Sequence, residues 1–519
     1  MTGLPHFGQA LRTNARLFPD KIGARDLDRA MTFAQWDARA CRLGNALLGL
    51  GLGKGDRVAV LAYNRVEWMD IYAATAKAGL VIVPINFRLM GAEIRYIVED
   101  CGARALIVQD ELIERIHDLR GELPVPAANY ICIGAHCPPT YRDYEALLGE
   151  GRDAEPGIAV HEADVWALMY TSGTTGRPKG AIRSHRAGAL LSVHTDVEMG
   201  FSRDDTALLV MPLCHANSMY FAGAYAYAGA ASVVYNRKSF DPEHLLRTLA
   251  EAGASFTSLV PTHYIMMLAL PEATRARFDV GRVRKLLISS APARRDTKLA
   301  IMEMFRNSGL FELYGSTEAG WVTMLHPHEQ LTKLGSVGRE CIGSDPIRLL
   351  DPDGNDVAPG AVGELYSGTP YAFDGYWNLP DKTREAFRGG FCSVGDMARR
   401  EADGYYYLVD RKANMIISGG ENVYPSEVEN LLGSHQKVKD VAVIGVPDEK
   451  WGERVHAVIV LQAGMLASED EILDWCRDKL AGYKRPRSVT FMKDDDMPRT
   501  ATGKILHRAL RQKFAAGRQ

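Results

Sequence analysis

The sequence predicts an α/β fold made of a large N-terminal domain and a smaller α+β domain. Apolar runs typical of strands alternate with segments of helical periodicity along most of the chain, which is the order found in α/β architecture. The pattern changes near Asp410, and the chain has 519 residues, more than one ordinary core accommodates. We therefore predict a large domain over residues 1–409 and a small domain over residues 410–519.

The elements of the large domain follow from its periodicity. Six residues recur every three to four positions and predict an amphipathic helix: Phe33, Trp36, Ala40, Leu43, Leu47 and Leu50. Strands are predicted at Val58–Leu61, Val81–Pro84, Ala105–Val108, Ala207–Met211, Ala231–Tyr235, Phe256–Val260 and Leu286–Ser289. The glycine-rich stretch GLGLGKGD precedes a strand instead of following one. It is thus interpreted as a helix stop and turn, not as a dinucleotide-binding fingerprint.

The small domain has its own order of elements. We predict a helix near Glu427–Leu432, strands at Val441–Val446 and Val455–Leu461, and a helix over Ser468–Leu480.

Composition excludes several classes of protein. The net charge is only -3, which provides no electrostatic footprint for nucleic acid or for an anionic membrane. No run approaches the ~20 apolar residues of a membrane span, and no leader is recognised. The eight cysteines are scattered without a CxxC pair. We expect them to be reduced and mostly buried, as in a cytoplasmic enzyme.

The stretch YTSGTTGRPKG, Tyr170 to Gly180, predicts a phosphate-binding loop. Glycines free the backbone so that amide groups can face an anion, hydroxyls add donors, and Lys179 adds a mobile positive charge. The candidate ligands are Thr171, Ser172, Gly173, Thr174, Thr175, Gly176 and Lys179. The spacing does not fit a Walker motif, and a flexible surface turn is the alternative.

Four further segments carry candidate nucleotide groups. In ELYGSTEAG, Tyr314 could stack on a purine, and Glu318 could bind Mg²⁺, which needs only one or two protein carboxylates beside a polyphosphate. Asp396 of SVGD could accept hydrogen bonds from a ribose, and Arg411 of DRKANMIISGGENVYP suits phosphate. A structural ion pair between these two residues is the alternative. PRTATGK places Lys504 in a hydroxylated loop, where a solvated surface lysine is the alternative.

These five motifs, in this order, resemble those of the adenylate-forming superfamily, which comprises acyl-CoA and aryl-CoA synthetases, adenylation domains of peptide synthetases, and luciferases. The resemblance spans nearly the whole chain. It implies an enzyme that uses ATP, Mg²⁺ and coenzyme A to convert a fatty or aromatic carboxylic acid to its CoA ester through an acyl-adenylate. It also implies that the small domain is mobile, with a hinge at Asp410.

The resemblance assigns roles residue by residue. Lys504, Glu318, Thr174 and His215 are the implied catalytic residues, and Glu318 is the metal ligand. Further implied nucleotide contacts are Glu312, Gly315, Ser316 and Thr317, together with the Ser290, Ala291 and Pro292 turn. Gly419, Gly420 and Glu421 would face the pantetheine arm of CoA. Arg88, Trp451, Tyr483, Arg485 and Arg487 would contact its nucleotide, although such basic stretches are also ordinary solvated faces.

An acyl pocket is implied between the motifs. Its candidates by family position are His215, Asn217, Met219, Tyr220, Thr262, His263, Tyr264, Ser289 and Ser290. His215 could instead be a core histidine with its hydrogen bonds satisfied. The chain departs from the family pattern at Asn414, where many members have an acid, and at Leu408 to Asp410, where a glycine-containing turn is commoner.

Three functions remain open at this point. The first is a free-standing acyl-CoA or aryl-CoA synthetase, the second is an enzyme that loads a carrier protein, and the third is a catalytically silent binding protein. The sequence around Lys504 also resembles the target of protein lysine acetyltransferases, so such an enzyme is a candidate partner. No nucleic-acid partner is expected, and a homodimer is left open.

Overall fold

The computed structural model describes residues 3–171, 177–289, 293–418, 421–448, 450–477, 479–500 and 503–516. The chain divides into two compact units, of which the first is Met1–Ile347 with Ser367–Cys392 and the second is Arg348–Tyr366 with Ser393–Gln519. A mixed α/β fold with a large and a small part is therefore confirmed. The second unit also takes in segments that lie before residue 410. The hinge at Asp410 stays a prediction.

Helices and strands alternate through the described residues. The α-helices are α1 (Phe7–Leu17), α2 (Phe33–Gly49), α3 (Glu67–Ala78), α4 (Gly91–Cys101), α5 (Tyr144–Glu150), α6 (His185–Met199), α7 (Ala216–Ala228), α8 (Pro242–Ala252), α9 (Pro261–Leu268), α10 (Glu272–Arg275), α11 (Arg295–Met304), α12 (Pro380–Ala386), α13 (Pro425–Leu432), α14 (Glu469–Trp475) and α15 (His507–Ala516). Among the described residues, no helix combines the length and apolar character needed to cross a membrane.

The strands are short, and several match the predicted runs within two residues. They are β1 (Ile22–Arg25), β2 (Ala30–Thr32), β3 (Arg57–Leu61), β4 (Val81–Ile85), β5 (Ala105–Gln109), β6 (Tyr130–Ile133), β7 (Arg142–Asp143), β8 (Val165–Thr171), β9 (Lys179–Ser184), β10 (Thr206–Leu209), β11 (Ala231–Val234), β12 (Phe256–Leu259), β13 (Lys285–Ser289), β14 (Gly309–Ser316), β15 (Gly320–Leu325), β16 (Arg339–Glu340), β17 (Asp345–Leu350), β18 (Val362–Gly368), β19 (Gly375–Tyr376), β20 (Phe387–Arg388), β21 (Phe391–Cys392), β22 (Asp396–Arg400), β23 (Tyr406–Arg411), β24 (Ile416–Ser418), β25 (Glu421–Val423), β26 (Val438–Asp448), β27 (Gly452–Leu461) and β28 (Ser488–Phe491).

An eight-stranded sheet of the first unit carries one part of the candidate site. Its order is β19-β9-β8-β4-β3-β5-β6-β7. The central strands β4 and β5 are buried throughout, as expected for parallel strands covered on both faces. Strands β8 and β9 form an antiparallel pair in which Thr171 lies opposite Lys179. The register therefore sets the two ends of the predicted phosphate loop side by side.

A nine-stranded sheet of the same unit carries the other part. Its order is β16-β15-β14-β13-β12-β10-β11-β1-β2. Strands β10, β12 and β13 are parallel neighbours, with Leu208 opposite Thr257 and Leu259 opposite Ile288. Since parallel strands end at the same edge of a sheet, the residues that follow them are brought together, which is where open α/β sheets bind ligands.

Local signals explain the helix that was predicted before β3. The side chain of Thr32 caps α2 by accepting a hydrogen bond from the amide of Gln35. Trp36 is buried and donates from its indole nitrogen to the carbonyl of Met69 in α3, at 2.9 Å. The chain then turns through Gly51 and Gly55, both with positive φ. The predicted helix and its glycine stop are thus confirmed.

The second unit contains a five-stranded sheet of order β25-β24-β27-β26, with β28 parallel to β27. Its core includes Ile416, Val443, Ile459 and Ile472. The predicted helices and strands of this region are present. Helix α14 ends at Trp475 instead of near Leu480.

One expectation about the cysteines is wrong. Cys132 and Cys137 form a disulfide, because the turn after β6 at Gly134 brings the chain back over the strand within five residues. The remaining six cysteines are free and buried, as expected.

Candidate active site

The carboxylate of Glu318 lies at the centre of one polar cluster of the first unit. It is buried in the turn between β14 and β15. Thr171 donates its hydroxyl to Oε1 of Glu318 at 3.1 Å, and Tyr376 donates to the same oxygen at 2.9 Å. No described residue donates to Oε2. One carboxylate oxygen is therefore fixed by the protein, and the other is available to a divalent cation.

Lys179 lies beside the same tyrosine. Its ammonium is 3.9 Å from the centre of the Tyr376 ring, which is a cation–π contact. Burial lowers the pKa of Lys179, and the negative charge of Glu318 partly opposes this change. Tyr376 thus contacts both the candidate metal ligand and the candidate phosphate ligand. We call Thr171, Lys179, Glu318 and Tyr376 the Glu318 cluster.

No sequence pattern indicated Tyr376, which is 58 residues from Glu318 along the chain. Arg183 was missed as well. It is fully buried, and its Nη1 donates to the carbonyl of Glu318 at 3.1 Å, so it holds the backbone of the turn. Its place could have been found from strand alternation, because Arg183 shares a face of β9 with the buried Ala181.

The turn that carries Glu318 needs its glycine. A Cβ at Gly315 would lie 2.2 Å from the carbonyl oxygen of Gly320, so the antiparallel strands could not approach as they do. Ser316 accepts a hydrogen bond from the amide of Ala319 at 2.9 Å. Both residues shape the turn, and their contacts to a nucleotide stay predictions.

Glu312 and Tyr314 belong to the strand that leads to this turn. Glu312 is buried and forms an ion pair with Lys298, and burial raises the pKa of its carboxyl group. Tyr314 is half-buried. Thr317 contributes its carbonyl, which accepts from Tyr220 at 3.3 Å. The nucleotide roles assigned to these residues stay predictions.

Several predicted residues lie outside the described part of the chain. They are Ser172, Gly173, Thr174, Thr175, Gly176, Ser290, Ala291, Pro292, Gly419 and Gly420. The centre of the phosphate loop, the adenine turn and the pantetheine glycines are therefore still predictions.

A second polar cluster lies at the carboxyl edge of the nine-stranded sheet. Asn217, in the first turn of α7, makes hydrogen bonds to the hydroxyls of Ser258 and Ser289, at 3.0 and 3.2 Å. His215 is the N-cap residue of α7, and His263 lies in the first turn of α9. We call these five residues the acyl-pocket cluster. The structure thus joins Asn217 to the predicted residue Ser289 and adds Ser258, near the end of β12, while both histidines stand at helix starts along the same sheet edge.

Both histidines of this cluster are neutral at pH 7. Burial, together with a smaller contribution from the positive charge of Arg88, lowers the pKa of His215 and of His263 to about 4. The ring of His263 stacks on Phe240, with 4.0 Å between ring centres. Arg88, predicted as a CoA contact, therefore acts electrostatically on two predicted pocket residues.

The other predicted pocket residues differ in their surroundings. Met219, Tyr220 and Tyr264 are buried, and Thr262 is exposed. The hydroxyl of Tyr264 donates to the carbonyl of Leu287 at 3.1 Å within an apolar cluster. This tyrosine therefore supports the packing of α9 against the sheet.

In the second unit, Asp396 and Arg411 form an ion pair, with 3.0 Å between Nε and the carboxylate. This is the structural alternative left open by the sequence, and the ribose contact stays a prediction. Lys504 has solvent-exposed surface, yet the protein atoms around it and the charge of Arg411 lower the pKa of its ammonium. Asp396 and Asp410 act in the opposite direction. These four residues thus share one electrostatic environment.

The two departures from the family pattern meet at Asp410. Its carboxylate accepts from the amide of Ser426 at 2.8 Å and from the side-chain amide of Asn414 at 3.2 Å. A carboxylate at position 414 could not donate this hydrogen bond. Asn414 therefore stabilises the conformation of the predicted hinge segment.

The predicted CoA contacts of the second unit include one stacked pair. The guanidinium of Arg487 lies 3.9 Å from the centre of the Trp451 ring. Tyr483 and Arg485 are half-buried, and Glu421 is exposed in β25. Their role toward CoA stays a prediction.

Comparison with known proteins identifies the family. Residues 11–377 match the model of the AMP-binding enzyme family, and residues 427–504 match that of the AMP-binding enzyme C-terminal domain. The chain belongs to the AMP-binding enzyme family. The predicted superfamily is thus confirmed, as is the predicted class, an AMP-forming acyl-CoA synthetase that uses ATP.

Individual relatives cover nearly the whole chain. A feruloyl-CoA synthase of Amycolatopsis sp is 37% identical over 96% of this chain and 97% of its own length. An indoleacetate–CoA ligase of Aromatoleum aromaticum is 34% identical over 97% of each. The crystal structure of the anthranilate CoA ligase AuaEII in complex with anthranoyl-AMP superimposes with a TM-score of 0.90 at 29% identity, covering 100% of this chain and 98% of that one.

Proposed function

We propose that this protein is a carboxylate–CoA ligase for an aromatic or fatty acid and that the Glu318 cluster is its centre for adenylation. The observation that carries this proposal is the Glu318 carboxylate, fixed through one oxygen by Thr171 and Tyr376. Such an arrangement suits a metal-bound triphosphate, because Mg²⁺ takes few protein ligands and completes its shell with phosphate and water. Bound there, Mg²⁺ would neutralise charge on the leaving pyrophosphate.

In the first half-reaction, a carboxylate oxygen of the acid attacks the α-phosphorus of ATP, and pyrophosphate leaves. The protein contributes positioning and charge stabilisation. Lys179 and the loop that follows Thr171 would hold the β- and γ-phosphates, and Tyr314 would stack on the adenine. Asp396 and Arg411 are assigned to the ribose. Lys504 is assigned to the negative charge that develops at the α-phosphate.

In the second half-reaction, the thiolate of CoA attacks the acyl carbonyl, and AMP leaves. Gly419 and Gly420 are assigned to the pantetheine arm, since missing side chains let a narrow chain pass. The stacked pair of Trp451 and Arg487 suits the adenine and phosphates of CoA. A carrier protein in place of CoA is the second candidate acceptor.

We assign the acid to the acyl-pocket cluster. His215 and Asn217 begin α7, next to strands β12 and β13 that carry Ser258 and Ser289. An aromatic acid is the first choice, because the three relatives described above are named for feruloyl, indoleacetate and anthranoyl groups.

The test is pyrophosphate exchange into ATP over a panel of aromatic and fatty acids, followed by product analysis with CoA or a purified carrier protein as acceptor. We expect AMP, pyrophosphate and an acyl-CoA. ADP and phosphate as products would contradict the mechanism. Acylation of the carrier protein but not of CoA would establish the second candidate.

Lys504 provides an independent test. The substitution Lys504→Ala should reduce adenylation by roughly 10²- to 10³-fold, the scale for removing one preorganised charge donor, while conversion of a supplied acyl-adenylate to thioester persists. Equal loss in both half-reactions would contradict this role.

The proposal also includes two candidate partners, a protein lysine acetyltransferase and a second copy of the chain, and a cytoplasmic location. Lys504 has exposed surface, so a protein lysine acetyltransferase could modify it and remove the charge that adenylation uses. Acetylation in vitro with peptide mass spectrometry tests this, and an unmodified Lys504 would contradict it. Light scattering would decide whether a homodimer forms, and cell fractionation would test the cytoplasmic location.

A further inference from the structure

The acyl-pocket cluster contains three buried polar atoms that lack a hydrogen-bond partner in the described part of the chain. They are Nε2 of His215, Oδ1 of Asn217 and Nδ1 of His263. For Asn217 the conclusion does not depend on how its amide is oriented. The hydroxyls of Ser258 and Ser289 both contact one end of the amide, so the other end is left over in either orientation.

The topology brings the residues that carry these atoms to one edge of the nine-stranded sheet. His215 and Asn217 stand at the start of α7, after strand β10, and His263 stands at the start of α9, after strand β12. Strands β10 and β12 are parallel neighbours, and β13 with Ser289 lies next to β12. The charge of Arg88 acts on both histidines, which is consistent with a common location.

Buried polar atoms without partners are unfavourable, so most native proteins satisfy them with protein groups, water or a ligand. An alkyl chain or an unsubstituted ring placed against this cluster would leave the three atoms unpaired. A hydroxyl or amino group could donate to or accept from these atoms, whereas a methoxy oxygen could accept only from an N–H among them. Because both histidines are neutral at pH 7, their ring nitrogens suit an uncharged partner.

We infer that the acid used by this enzyme carries an uncharged hydrogen-bonding group remote from its carboxylate, and that Asn217, with His215 and His263, selects for that group. The inference rests on the proposed function, because it takes this cluster as the acyl site. It narrows the substrate to hydroxy-, amino- or methoxy-substituted acids, most simply aromatic ones.

Matched pairs of acids test the inference with the unmodified enzyme. The pairs are cinnamic and 4-hydroxycinnamic acid, benzoic and aminobenzoic acids, and hexanoic and 6-hydroxyhexanoic acid, with terephthalic acid as a charged partner for benzoic acid. We expect the uncharged polar member of at least one pair to have a kcat/KM for adenylation about 10- to 100-fold higher than its plain partner.

Variants show whether Asn217 is responsible for the preference for the polar acid of a pair. Asn217→Leu should abolish the preference and should lower the KM for the plain acid, a gain that misfolding cannot produce. Asn307→Leu is the matched control, since Asn307 is exposed and bonds only to the carbonyl of Gly281 among the described residues. It should keep the parent preference.

The outcomes separate the inference from the function on which it rests. If no acid supports exchange, the proposed function fails. If plain or doubly charged acids are preferred in every pair, the function stands and the inference is wrong. If Asn217→Leu folds, as judged by circular dichroism, and keeps the parent preference, Asn217 does not select the substrate. If it does not fold, the ranking within the pairs by the parent enzyme decides alone.

Discussion

The two polar clusters of the first unit leave different kinds of group unbonded, a carboxylate oxygen in the first and uncharged amide and ring atoms in the second. In the Glu318 cluster, Thr171 and Tyr376 converge on one carboxylate oxygen, and Lys179 lies on the tyrosine ring. In the acyl-pocket cluster, Asn217 is bonded at one end only, and each histidine leaves one buried ring nitrogen without a partner in the described residues.

This difference suits the Glu318 cluster to catalysis and the acyl-pocket cluster to the choice of substrate. Groups that the protein itself holds in place need no reorganisation when charge develops, so they serve the reaction of any acid that enters. Polar groups without a hydrogen-bond partner in the protein are sensitive to the structure of the ligand, because an unsuitable acid leaves them unpaired. Substitutions in the first cluster should therefore change rates, and substitutions in the second should change the ranking of substrates.

The largest effect is expected from Glu318→Gln. Removing the negative charge that would bind Mg²⁺ should lower the rate of adenylation by roughly 10²- to 10³-fold. The ratio of kcat/KM between members of a matched acid pair should not change. Pyrophosphate exchange at several Mg²⁺ concentrations measures both quantities. Glu303→Gln, at an exposed position, is the control. A changed ratio of kcat/KM between paired acids in Glu318→Gln would contradict the separate roles of the two clusters.

A smaller effect is expected from Tyr376→Phe. This change removes one of the two hydrogen bonds to Glu318 and keeps the ring under Lys179, so the Mg²⁺ requirement should rise by about tenfold. Tyr376→Leu also removes the ring contact and should raise the KM for ATP further. Tyr371→Phe, another buried tyrosine, should leave the Mg²⁺ requirement as it is. An unchanged requirement in Tyr376→Phe would remove this residue from the site.

The smallest effect concerns pH and the histidines of the acyl-pocket cluster. Their pKa values fall from about 6.5 to about 4 on folding, so the unfolded chain binds protons that the folded one does not. Folding stability should thus be fully present above pH 6.5 and decrease as the pH falls toward 4. Thermal unfolding of His263→Leu should show a shallower decrease over this range, whereas His328→Leu, at an exposed position, should follow the parent. If stability fell equally with pH in the parent, His263→Leu and His328→Leu, His263 would not be buried in its neutral form.

Much of the fold was accessible from the sequence because its signals are local. Apolar periodicity predicted α2 and strands such as β4 and β5 to within two residues, and the change of pattern near Asp410 indicated a second part of the chain. Glycine and hydroxyl composition marked the ends of the phosphate loop, and Thr171 and Lys179 indeed lie opposite each other. The five motifs indicated the family, since their chemistry is carried by short contiguous segments.

Tertiary structure alone decided which groups are paired. Tyr376 reaches Glu318 across 58 residues, and Arg183 supports the backbone of that turn from another strand. Ser258 and Ser289 both form hydrogen bonds with one end of the Asn217 amide, because the parallel strands that carry them end at the same edge of the sheet. A hydrogen bond depends on distances of about 3 Å between atoms that are remote along the chain. Residue type and spacing specify which groups are available, but packing specifies which of them are already satisfied and which are left for a ligand.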